Sequence, residues 1–214
     1  MVMGVQVKDR DTDDETFSVH RLTQQAFLND KRGLADPTRS AVQEAFDALV
    51  QLIDQKFPRY GRDKSLLEHW SICGRYLPHV SNLALVFTAS KKKARSIDTS
   101  EMFAELLKNA SWYLQEIGEL EQSNNLVEVG LDACGSEESL TYAYLCNTKV
   151  VLAMDTNKLV DGRKFSEKAI AIREKLLGSD DLDLAISYGN FANILTNEEL
   201  FDEALANHTL SDNI

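Results

Sequence analysis

The chain has 214 residues, of which 27% are charged and 43% hydrophobic, the balance of an ordinary globular protein with one or two small cores. Only 10 glycines and 3 prolines argue against a turn-rich all-β fold and for long helices. The formal net charge of −11 is uneven: residues 1–97 carry +3 and residues 98–214 carry −14, so the second half would repel a phosphate backbone.

The first segment alternates. In "GVQVK" (4–8) and "TFSVH" (16–20) apolar and polar residues take turns around the polar "DRDTDDE", which predicts two short strands joined by a loop. "RLTQQAFL" then places Leu22 and Ala26 on one helical stripe, giving residues 1–35 the look of a β-hairpin beside a helix, as in a winged-helix domain. From "DPTRS" onward the pattern is helical, with Asp36 as N-cap and Pro37 at the first position. Val42, Ala45, Phe46, Leu49, Val50, Ile53 and Phe57 follow helical spacing up to the stop at "FPRYGRD". A second helix starts near Ser65, with Leu66, Trp70, Cys73, Leu77, Val80, Ala84 and Phe87 on its stripe and a kink expected at Pro78. Together these form a helical spacer over 36–97. The basic run "KKKAR" (91–95) reads as a solvated connection, because no aromatic residues interleave with it.

Residues 98–214 repeat. "LVDG", ending at Gly162, reappears as "LFDEA", ending at Ala204, 42 residues later, and Ser123 takes the same place 39 residues earlier. The spacing predicts helix–turn–helix units over about 102–140, 141–182 and 183–214 that bury their apolar faces by stacking on one another. Within each unit small residues such as Ala192 and Ala204 are expected where the two helices touch. The last unit has apolar residues for one neighbour only, which predicts self-association through it or a frayed final helix.

"KAIAIREKLLGSDDLDLAISYGNFANILTNEELFDEAL" (168–205) resembles tetratricopeptide (TPR) repeats of the kinesin-light-chain type, with Gly162, Val150 and Glu199 as departures from preferred alanines and a glycine. "FSVHRLTQQAFL" (17–28) is similar to the element that follows the nucleotide-binding module of fungal-style NB-ARC/TPR proteins, the STAND or NOD-like signalling ATPases. "FDALVQLIDQKFP" and "WSICGRYLPHVSNL" look like the spacer of the same proteins. The resemblance implies an all-α, TPR-like superhelix behind a winged-helix remnant, working as a non-catalytic protein-interaction scaffold in the cytoplasm. It also implies a nucleotide-sensing role for His20. The sequence contains no G-x-x-x-x-G-K-[ST] loop to cradle a phosphate, so His20 would sense a nucleotide only by completing a site in trans, and is otherwise structural.

By the same resemblance, the concave groove is lined by Lys108, Trp112 and Gln115, then Tyr144, Asn147 and Val151, then Gly189, Asn193 and Thr196. Asparagine gives and accepts hydrogen bonds with an extended backbone, and tryptophan and tyrosine add amphipathic contact area. The expected partner is a protein or peptide. Trp112 reads equally well as a core residue. No cofactor, metal or enzymatic activity is expected. The four histidines and three cysteines show no ligand spacing, and no nucleophile elbow occurs. The three widely spaced cysteines suggest free thiols in a reducing compartment. No apolar run is long enough to span a bilayer, and a nucleic-acid partner is the weakest alternative.

Overall fold

The computed structural model describes residues 5–8, 15–18, 39–60, 66–92, 96–98 and 100–214. Strands β1 (Val5–Lys8) and β2 (Glu15–Ser18) pair antiparallel, Val5 opposite Ser18 and Lys8 opposite Glu15. They belong to a compact unit, residues 1–41, separate from the unit of residues 42–214. The helix predicted after the strands, the winged-helix reading and His20 all fall outside the described residues, as do Lys93, Ala94 and Arg95 of the basic run.

The second unit is helical. Helix α1 (Arg39–Asp54), which enters this unit at Val42, buries Phe46, Val50 and Ile53, and Phe57 follows it into the core. Leu49, placed on the same stripe by its spacing, is instead exposed. A 3-10 turn at Leu66–His69 leads into α2 (Trp70–Lys91), one continuous helix through Pro78. Its buried face is Cys73, Val80, Leu83, Ala84 and Phe87. Phe46 meets Phe103 edge-on with ring centroids 5.0 Å apart, and Phe87 lies 5.4 Å from the same ring. Each such ring removed from water stabilises the fold by roughly 1.5–3 kcal/mol.

Six helices follow as three antiparallel-reading pairs: α3 (Glu101–Glu116) with α4 (Leu120–Ala133), α5 (Leu140–Asp155) with α6 (Leu159–Leu176), and α7 (Leu182–Asn197) with α8 (Phe201–Asp212). The period read from the sequence recurs at the level of single atoms. Ser100, Ser139 and Asp181 occupy one repeat position, and each N-caps the first helix of its pair. Their side chains accept hydrogen bonds from the backbone N–H groups of Phe103, Tyr142 and Asp183, satisfying donors that the helix leaves open. The turns inside the pairs also coincide. Gly118, Asn157 and Glu199 all take positive φ, at 82°, 55° and 63°. The next residue's N–H then bonds back to the carbonyl of Leu114, Ala153 or Leu195, the closure of a helix ended by a left-handed residue.

Small residues let the paired helices approach. Ala104, Ala143 and Ala185 are equivalent and all buried. Ser123 sits fully buried and donates from Oγ to the carbonyl of Ser111 at 2.8 Å. At its equivalent, Gly162, a Cβ would lie 2.5 Å from Ile194 Cδ1 and 3.2 Å from Ala153 Cβ. Ala204 and Ala192 are buried at the corresponding places of the third pair.

Candidate functional site

The first helices of the three pairs frame a cavity of about 160 Å³. Lys108 and Trp112 come from α3, Tyr144, Asn147 and Thr148 from α5, and Asp183 and Ile186 from α7; Tyr60 and Arg173 complete the lining. Expressed in repeat positions, the lining slides about one turn toward the N-terminus from each first helix to the next. The cavity therefore runs diagonally across the helices.

Aromatic faces and charges alternate here. The Tyr60 ring stacks on Trp112 with centroids 4.2 Å apart. The Tyr144 ring has Lys108 Nζ 4.8 Å and Arg173 Cζ 4.6 Å from its centroid, within the reach of cation–π attraction. Its hydroxyl donates to Asp183 Oδ2. Lys108 is held by Glu105 at 2.5 Å, and Glu105 also accepts from Thr141. Asn190 Nδ2 donates to Asn147 Oδ1 at 2.9 Å, linking α7 to α5.

Arg173 is the largest fully buried side chain among the described residues, with 1% of its surface exposed. It holds the position equivalent to Cys134, but Cys134 follows the end of α4 in extended backbone, whereas α6 runs a turn further and keeps Arg173 helical. Nη1 donates to the Asp183 carbonyl at 2.7 Å and to Ser187 Oγ at 2.5 Å, while Nε has no protein partner. Burial pulls the guanidinium below its ordinary pKa, against the opposing pull of Asp183 and Tyr144. A basic residue within "IREKL" reads as a solvated side chain, so periodicity alone does not reveal this one.

The expected groove residues divide into two groups. Lys108, Trp112, Tyr144 and Asn147 come together around the cavity. Gln115 and Val151 are half-buried, and the Gln115 Oε1 is enclosed without a hydrogen-bond partner. Asn193 and Thr196 are exposed on α7, where Thr196 Oγ1 donates to the Ala192 carbonyl. Gly189 turns toward α8: a Cβ there would meet Ser211 Oγ at 3.4 Å. The expected sets for the first and third pairs use the same repeat positions and the second starts one turn earlier at Tyr144, whereas the cavity shifts by about a turn at every step, so the third set runs past it. Tyr60 and Arg173 lie outside the first helices and were missed for that reason.

Glu116, at the C-terminal end of α3, gathers three donors from the spacer and its own helix. Oε1 accepts from the Leu66 N–H and from Trp112 Nε1, and Oε2 accepts from Trp70 Nε1. A second, wider hollow between α4 and α6 is bordered by Glu128, Asp132, Glu137, Lys164 and Lys168. Its carboxylates are each paired with a lysine: Glu137 with Lys168, Glu128 with Lys149 and Asp132 with Lys91. Among the described residues no cluster of histidine, cysteine or carboxylate side chains is arranged to hold a metal ion, and no helix is long and apolar enough to cross a membrane.

No protein-family model matches the chain. No curated protein matches it either.

Proposed function

We propose that residues 98–214 form a TPR-like array whose diagonal cavity binds an extended peptide, making the chain a non-catalytic protein-interaction scaffold. The observation that carries this reading is the cavity's composition: two aromatic faces, a paired amide and Lys108 converge from successive first helices, and Arg173 joins them from α6. Amides suit a peptide backbone, and aromatic rings suit the side chains between its amide groups. The caps and small-residue contacts recurring at periods of 39 and 42 support the repeat assignment, because each pair buries its apolar face on the next. The resemblance of its sequence to fungal-style NB-ARC/TPR proteins supports a role for such a scaffold in STAND-type signalling.

Random peptide libraries displayed on phage test the reading. Sequences selected on the intact protein should bind in the micromolar range by calorimetry. They should lose binding by about tenfold or more in Tyr144→Ala and Lys108→Glu, since truncation of a central anchor typically costs that much. Selected peptides that bind those folded variants as well as the parent would place the binding elsewhere and end the proposal.

A further inference from the structure

The peptide-groove reading leaves one wall of the cavity unexplained, because it does not come from the repeats. After α1 the chain makes a turn in which Phe57 is buried and Arg59 pairs with the largely buried Asp54 at 2.7 Å. It then runs without regular structure to Tyr60, which lies against α3. Asn109, 1% exposed, accepts the Tyr60 backbone N–H at 3.1 Å. The Tyr60 ring meanwhile covers Trp112 at 4.2 Å. Trp112 is set in place by its hydrogen bond to Glu116 at 3.0 Å. An asparagine on a first helix therefore holds an extended backbone N–H, and a tryptophan one turn away holds the aromatic side chain of the same residue.

We propose that Asn109 and Trp112 form a subsite for an aromatic residue on an extended peptide, and that the chain's own Tyr60 occupies it as an internal ligand. The inference rests on the peptide-groove reading and adds a ligand class and a mode of control. A partner that places tyrosine, tryptophan or phenylalanine in this subsite must first displace Tyr60. The tether makes the internal ligand a strong competitor, because an attached group acts at an effective concentration in the millimolar range. Apparent affinity falls in proportion to the fraction of molecules with the subsite open.

The probe is the sequence of residues 54–60 itself, the blocked peptide DQKFPRY, with DQKFPRA as its control. Binding is read by fluorescence anisotropy on the full chain, with Tyr60→Leu and Tyr60→Ala as the variants. Removing the Tyr60 ring frees the Trp112 face and should tighten DQKFPRY binding by about tenfold or more over the parent protein. DQKFPRA should bind neither variant, and adding Trp112→Ala to the Tyr60 variant should abolish the gain. A folded Tyr60 variant that binds DQKFPRY no more tightly than the parent overturns the proposal. Equal binding of the two peptides does the same. Loss of cooperative unfolding in both variants also overturns it, since a displaceable occupant is not needed for the fold. Phage-selected peptides that depend on Tyr144 and Lys108 but are indifferent to Tyr60 would leave the groove reading standing and remove this inference alone.

Discussion

Arg173 shows how far a single side chain departs from its place in a helical pattern. Its charge is buried among Tyr144, Asp183 and Ser187, and an arginine does not give up its proton there. Replacing it with alanine takes one of two donors from the Asp183 carbonyl, which keeps Ser187 Oγ, removes the donor to Ser187 Oγ and empties a buried volume, so a loss of about 3 kcal/mol is expected in chemical denaturation. The thiols are the opposite case, neutral groups kept neutral. Burial pushes Cys73 from its ordinary 9.0 up to about 11, and Cys134 and Cys146 up to about 12. The folded state holds these protons more tightly than the unfolded chain does. The corresponding stability is complete below pH 9 and drains away as pH climbs through 11 and 12. Two outcomes follow. Iodoacetamide at pH 8 should label the native protein far more slowly than the unfolded one. The melting temperature should decline on going from pH 9 to pH 11, and a flat profile would contradict the burial of these groups.

Within the helix pairs, the period was readable because several positions obey one physical demand in every copy. Alanine recurs at 104, 143 and 185, and a capping side chain at 100, 139 and 181. The left-handed turn position was signalled in the sequence only at Glu199, where the resemblance expects a glycine, and it is met unequally. Glycine at 118 adopts positive φ freely, asparagine at 157 tolerates it, and glutamate at 199 is strained by it. Glu199 is exposed, so Glu199→Gly should raise stability by about 0.5–1 kcal/mol, measured by the shift in urea midpoint. Ala204→Phe should act in the other direction. Its side chain would enter the contact between α7 and α8, where overpacking costs roughly 1–3 kcal/mol. An unchanged midpoint in that variant would mean that the pair is not packed as described. What periodicity left hidden is contact between segments far apart in sequence. The clasp of Glu116 on Leu66 and Trp70 joins a spacer to a repeat, and no local spacing announces it.

The three pairs do not share burial equally. Helix α8 has Ala204 as its buried residue, while Phe201 and Leu205 are 64% and 67% exposed on adjacent turns. Val160, at the start of α6, is 81% exposed. Apolar surface of this kind is an association site when contiguous. Sedimentation velocity should show mass rising with concentration, and Phe201→Ser with Leu205→Glu should suppress it. Hydrogen exchange should find residues 198–214 less protected than residues 141–177, because few buried contacts oppose their opening. A monomer at all concentrations with uniform protection would contradict both. The extra turn of α6, which has 18 residues against 14 in α4, sets a rule for how such a chain can change length. Each residue added to a helix rotates everything after it by about 100°, so a four-residue change returns nearly to the starting azimuth. The added turn begins at Arg173, so the inward stripe that includes Ala169 continues one turn further and Arg173, four residues on, stays on it against the Tyr144 ring. Deleting one residue ahead of Arg173 would swing its guanidinium toward solvent and draw a neighbouring side chain into its place. Insertions and deletions in these helices should therefore be tolerated in units of a turn and rejected singly, a discreteness imposed by the helix itself and independent of what the cavity binds.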